Sequence, residues 1–214
     1  MINIDPITLL LIAANVLVSL KGFKDYGFFE KYKFQVGAVQ RGEHIRNLTS
    51  GFLHVDTGHL FFNMLTLYFF APWALMGVFN NKFKFLAIYI VSLLLGSFLS
   101  LFMHKREPYY SAVGASGAVT GVVYAAITIF PEMKINFVIP GFVFGIGYLA
   151  YSIYGMKNRV GNIGHSAHFG GAVGGFGTAL LFRPDLFQQH PLYLGLLALP
   201  IIALFVLEKM GKLQ

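Results

Sequence analysis

Long neutral runs alternate with short charged breaks along this chain. The first run covers residues 6–20, with Asn15 in its middle and Lys21 and Lys24 just beyond. It is short for a membrane span, but Lys21 can snorkel and the flanks can extend it. Further runs cover residues 60–79, 85–103, 115–130, 135–156, 160–182 and 186–207. The breaks between them hold the charges: Lys82, then His104 to Glu107, Glu132 and Lys134, Lys157 and Arg159, Arg183 and Asp185. This spacing predicts an all-α polytopic membrane protein. The chain reads as a single domain over residues 1–214, without a repeat or a separating linker. The last helix is expected over about 191–207, kinked at Pro200. The fifth is expected to be softened by Pro140, Gly141, Gly145 and Gly147, which makes it a candidate deformable gate.

Residues 22–57 depart from the pattern. They mix Lys24, Asp25, Glu30, Lys33, Arg41 and Arg46 with Tyr26, Phe28, Phe29 and Phe34. That mixture suits an amphipathic segment in the membrane interface; a solvated linker is the alternative.

Composition agrees with the pattern. Hydrophobic residues make up 56% of the chain and charged residues 12%, against about 25% charged in soluble proteins. The net charge of +7 lies in the breaks and reads as contact with lipid headgroups, not nucleic acid. There is no cysteine, which excludes disulfides and thiolate chemistry. No cleavable signal precedes the first run.

Polar residues inside apolar helices are costly and are candidates for function. No Asp, Glu, Lys or Arg occurs between Pro108 and Pro131, and Ser116 stands there between Gly114 and Gly117. A serine opening a helix has free N–H groups and a positive dipole end beside it. Gly114 and Gly117 are also expected to serve helix packing, since such clusters are common packing surfaces, so the reading depends on a partner. His168 supplies one. It is followed by Gly171 and Gly175, a stripe that permits close helix approach, and Gly117 and Gly121 form a matching stripe beside Ser116. If the stripes face each other, His168 comes within reach of Ser116 and can take its proton. His59 and Asn63 share one helix face and can donate hydrogen bonds to an oxyanion, together with the Ser116 N–H. Intramembrane carboxylates and thiolates are absent, so no metal and no cofactor is expected. His54 is expected to brace the loop or the helix start. His165 either lines the same cavity or faces solvent.

These residues resemble the rhomboid family of intramembrane serine proteases. The family's G-x-S-G is Gly114-Ala115-Ser116-Gly117, and its His-x-x-x-Asn is His59 to Asn63. Its Ala-His with a following G-x-x-x-G is Ala167-His168 with Gly171 and Gly175. Residues 45–54 resemble the lead-in to the second helix. The resemblance implies a six-helix core over about 7–182 with the seventh helix added. It implies a serine endopeptidase with a Ser116–His168 dyad and His59, Asn63 and the Ser116 N–H as the oxyanion site. Its substrates would be single-span or other transmembrane proteins, and its place the membrane, crossed many times (the cell membrane if bacterial). It also puts the amino terminus in the cytoplasm, whereas the excess of basic residues in the first connection points the other way. Two family features are missing. No glutamate ends the second helix, so a helix–loop tether is lost or replaced. Thr120 stands where an aromatic usually stacks on the histidine, which leaves the dyad's orientation open. A catalytically inactive, membrane-protein-binding scaffold of the same fold is the alternative, and a small transporter a more distant one.

Overall fold

The computed structural model describes residues 4–161 and 164–213. Helix α1 (Pro6–Lys24) begins where Asp5 accepts from the Ile7 N–H at 2.9 Å, with Pro6 in the first turn. The first connection then folds into α2 (Tyr26–Tyr32), β1 (Phe34–Gln35), α3 (Val36–Gln40), α4 (Arg46–Thr49) and a 3-10 turn (Ser50–Phe52). Next come α5 (Thr57–Gly77), α6 (Lys82–Met103), β2 (Ser111–Ala112) and α7 (Ser116–Ile129). The chain ends with β3 (Lys134–Ile135), β4 (Ile139–Pro140), α8 (Gly141–Asn158), α9 (His165–Phe182), α10 (Leu186–Gln189) and α11 (Pro191–Lys209). The protein is an all-α, multi-pass membrane protein: α1 and α5–α9 form a six-helix core, and α11 is the seventh helix. Helices α1, α5, α6 and α11 are each long and apolar enough to cross a membrane. Their outward faces expose large apolar side chains such as Leu10, Phe62, Phe98 and Leu192.

One sequence expectation is corrected, and one alternative is set aside. The fifth helix does not start at residue 135. Lys134 and Ile135 pair antiparallel with Pro140 and Ile139 in a hairpin whose turn holds Asn136 and Phe137 at positive φ. Proline disfavours the helical conformation in the residue before it, so α8 begins only after Pro140. Pro140 therefore does not soften the helix. Gly141 and Gly145 are packing positions, against Pro131 O and Leu197 respectively. The first connection is likewise no solvated linker. β1 pairs with β2, and the Val36 and Gly37 N–H groups donate to Tyr110 O and Pro108 O. The buried Arg46 donates to Glu30 O and Lys33 O and pairs with Glu43 at 2.7 Å. The connection is thus laced onto the segment that leads into Ser116.

The centre of the bundle is α9, packed between α6 and α7. Small residues on two faces make this possible. A Cβ on Gly171 or Gly175 would fall on Gly117 O or Gly121 O of α7. A Cβ on Gly174 would lie 2.7 Å from Ser92 Cα of α6. The two stripes of the sequence therefore do face each other, one residue of α9 against one carbonyl of α7. Helix α7 is buried from Gly117 to Ile129. Part of the cost of Asn15 in α1 is offset because its amide N–H groups donate to Leu11 O and to Tyr89 Oη at 3.1 Å. The end of α5 has its own tether: Gly77 O accepts from Arg183, which Asp185 clamps at 2.7 Å.

Candidate active site

The 14 residues of α7 reach only about 21 Å, against a hydrocarbon layer about 30 Å thick. Glu132 and Lys134 follow its far end closely, so the shortfall lies at Ser116. A cavity of about 1100 Å³ opens there. Ser116, His168, His59 and Asn63 all line it, with Gly114, Gly117, Thr120 and Tyr148. Thus all four polar residues singled out in the sequence share one space, although they come from three helices far apart in the chain. Among the described residues no hydrogen bond joins Ser116 to His168. Such contacts are often long in unliganded sites and tighten around a substrate.

Local backbone chemistry aims these groups. Asp56 caps α5 and accepts from the His59 N–H at 2.7 Å, which puts His59 and Asn63 on the first turns facing the cavity. No side chain caps α7, so the N–H groups of its first turn have no partner within the helix. The donors just before it are used: Gly114 N–H donates to Ser50 O and Ala115 N–H to His54 Nε2. Gly114 has φ +132, a conformation for which glycine is suited. Instead of packing against a helix, as expected from the sequence, it faces the His59 side chain. A Cβ on Gly114 would lie 2.9 Å from His59 Nε2 and 3.6 Å from Ser116 Oγ. The bare Cα keeps open the small space between those two atoms. Asn63 is 7% exposed, and among the described residues its Nδ2 has no hydrogen-bond partner. Buried unpaired donors are rare and costly.

His54 is buried and holds the serine loop. Its Nε2 accepts from Ala115 N–H at 3.3 Å, so its Nδ1 carries the proton and donates to Ser19 Oγ at 2.8 Å. Ser19 in turn donates to Phe52 O. Burial, with His59 adjacent, drives the His54 pKa down to about 4, and Asp56 offsets only part of this. Unfolded, the group titrates at 6.5. The neutral form therefore stabilises the fold fully above pH 6.5. The contribution is lost as pH falls from 6.5 to 4, because the unfolded chain binds the proton first. The loss amounts to about 3 kcal/mol across that window. Unfolding in detergent should become easier over this range, and His54→Gln, which does not titrate, should flatten the profile. An unchanged slope would assign the effect to another group.

Two further placements were not legible in advance. His165 neither lines the cavity nor faces solvent: it is buried against Gly155, with Nε2 3.1 Å from Val160 O. Tyr148 of α8 was missed. Its ring lies over His168 at 6.2 Å, tilted by 25°, and its hydroxyl is 3.0 Å from His168 Nδ1 and 3.3 Å from Thr120 Oγ1. The available signal was a tyrosine inside an apolar helix, whose hydroxyl needs a partner when buried. The aromatic absent at Thr120 is thus supplied from another helix.

Comparison with known proteins places the chain in a family. The Rhomboid domain model matches residues 41–185. RHOMBOID-like protein 12, mitochondrial, of Arabidopsis thaliana is 27% identical over 75% of this chain and 53% of its own length. Rhomboid protease GluP of Bacillus subtilis is 32% identical over 66% of this chain and 26% of its own. Putative rhomboid protease YdcA of the same bacterium is 34% identical over 64% of this chain and 67% of its own. The chain spans only 53% and 26% of the first two relatives. The match runs from just after α3 through α9, and on it the chain belongs to the rhomboid family.

Proposed function

We propose that the protein is an intramembrane serine endopeptidase that cleaves other transmembrane proteins. The observation that carries the reading is the convergence of Ser116, His168, His59 and Asn63 on one cavity, where the Asn63 Nδ2 has no partner among the described residues. Two of the relatives are named rhomboid proteases. Ser116 Oγ attacks the scissile carbonyl while His168 Nε2 takes its proton. The oxyanion is held by Asn63 Nδ2, the His59 imidazole and the Ser116 N–H. His168 then gives the proton to the leaving amine. Water hydrolyses the acyl-enzyme with His168 again as base, which frees Ser116. The substrate reaches the serine through the cavity, with a segment of its own helix unwound.

The test is cleavage of a single-span substrate by the purified protein in liposomes. Asn63→Ala and His59→Ala should each lower kcat by about 10²–10³-fold with little change in KM, since they act on charge that exists only in the transition state. Equal kcat in Asn63→Ala would remove that residue from the oxyanion site. No cleavage by the parent, with intact binding of membrane proteins, would favour the scaffold.

A further inference from the structure

His168 has one ring nitrogen engaged and one free to face Ser116. Nδ1 meets the Tyr148 hydroxyl at 3.0 Å, and Tyr148 in turn meets Thr120 Oγ1 at 3.3 Å. Among the described residues the Tyr148 hydroxyl has no other partner. For Nε2 to accept a proton from serine, Nδ1 must already carry one. That proton needs an acceptor, and among the described residues the one bonded to Nδ1 is Tyr148 Oη. The tyrosine's own proton must then point elsewhere, and Thr120 Oγ1 is the available acceptor. Without Thr120 the hydroxyl would turn and donate to Nδ1, leaving the proton on Nε2 and the base disarmed.

We propose that Tyr148 is a positioning residue for His168, and that a one-way chain, His168 Nδ1–H to Tyr148 O–H to Thr120 Oγ1, fixes the tautomer in which Nε2 is the base. It rests on the Ser–His reading above and extends the dyad with a neutral third member. When His168 gains the serine proton, the same Nδ1–H donates more strongly to Tyr148, as hydrogen bonds from charged donors do. The chain also spans three helices. Thr120 lies one turn below Ser116 on α7, Tyr148 is on α8 and His168 on α9. Helix α8 is held in place by the Tyr124 hydroxyl, which donates to Gly145 O, and by Leu197 of α11 packed on Gly145. Gly145 stands one turn before Tyr148. The seventh helix thus supports the segment that orients the base.

Two readouts test this. The first is ¹⁵N NMR of the native protein with labelled histidine in micelles at pH 8, with the His168 signals assigned by their loss in His168→Ala. The proposal predicts protonated Nδ1 and unprotonated Nε2, and a shift toward the other tautomer in Thr120→Val. His168 found with its proton on Nε2 would overturn it. The second is kinetic. Tyr148→Phe keeps the ring and removes the hydroxyl, and should lower kcat by about 10–100-fold with KM changed by less than about twofold. Thr120→Val should act in the same direction, and Thr120→Ser should restore activity. The Tyr148→Phe/Thr120→Val pair should lose little more than Tyr148→Phe alone, because both break one chain. A Tyr148→Phe protein with unchanged kcat would overturn the proposal. A native protein that cleaves nothing yet holds the proton on Nδ1 would count against the protease reading and leave the tautomer assignment standing.

Discussion

Ser116→Ala is expected to lower cleavage at least about 1000-fold, and His168→Ala by a similar factor. Alanine at 116 removes the only atom placed to attack, yet leaves the cavity, the α7 N–H groups and Asn63 in place. Alanine at 168 leaves the hydroxyl with no base in reach, since His59 lies beyond the Gly114 space and His165 is turned away against Gly155. The two losses should not add: once one member is gone, the other has nothing to act on. The double variant should therefore match the singles within about threefold. Substrate binding should survive in all three, because each change only trims a side chain of the cavity wall and adds no bulk to it. Turnover by Ser116→Ala near the parent rate would mean that the chemistry is elsewhere.

Gly171→Ala and Gly175→Ala are expected to cost about 2–4 kcal/mol each. A methyl group at either position would meet a backbone carbonyl of α7, Gly117 O or Gly121 O. A carbonyl inside a helix cannot swing aside as a side-chain end can, so the helices must part. The reverse change at Gly117 should cost less, because a Cβ there lies 3.2 Å from Ala167 O. At Gly177, on the same helix, an added Cβ would meet no atom of another described segment within 4 Å. Gly177→Ala should stabilise by up to about 1 kcal/mol through the loss of unfolded-state freedom. Reversible unfolding in mixed micelles would measure the series. Separation of α7 from α9 also parts Ser116 from His168, so activity should fall with Gly171→Ala even where folding persists. A Gly171→Ala protein as stable as the parent would contradict the observed register of the two stripes.

Much of this was written in the order of residues. The apolar runs gave the helices because a span must satisfy its own backbone, and that constraint leaves a strong period and length in the sequence. Ser116, His168, His59 and Asn63 stood out because polar groups in lipid are costly and need a reason. What escaped notice depended on pairings between distant segments. The start of α8 was hidden because the apolar stretch runs on through β3 and β4, and only Pro140 and the turn at Asn136 and Phe137 mark the break. The order in residues 22–57 comes from Arg46 reaching Glu30 O and Lys33 O and from pairing with residues 108–112. Neither contact has a local signature. Tyr148 reads as one more aromatic of a span, until the fold lays it over His168. Gly114 looked like a packing residue, and its role became clear only with the His59 ring beside it.

The most direct test of the central claim is to treat the folded protein in lipid with a fluorophosphonate and map the adduct by peptide mass spectrometry. Activation of Ser116 by His168 predicts a single adduct on Ser116, formed slowly or not at all in His168→Ala. A folded protein that takes no adduct, or takes it on another serine, would contradict it.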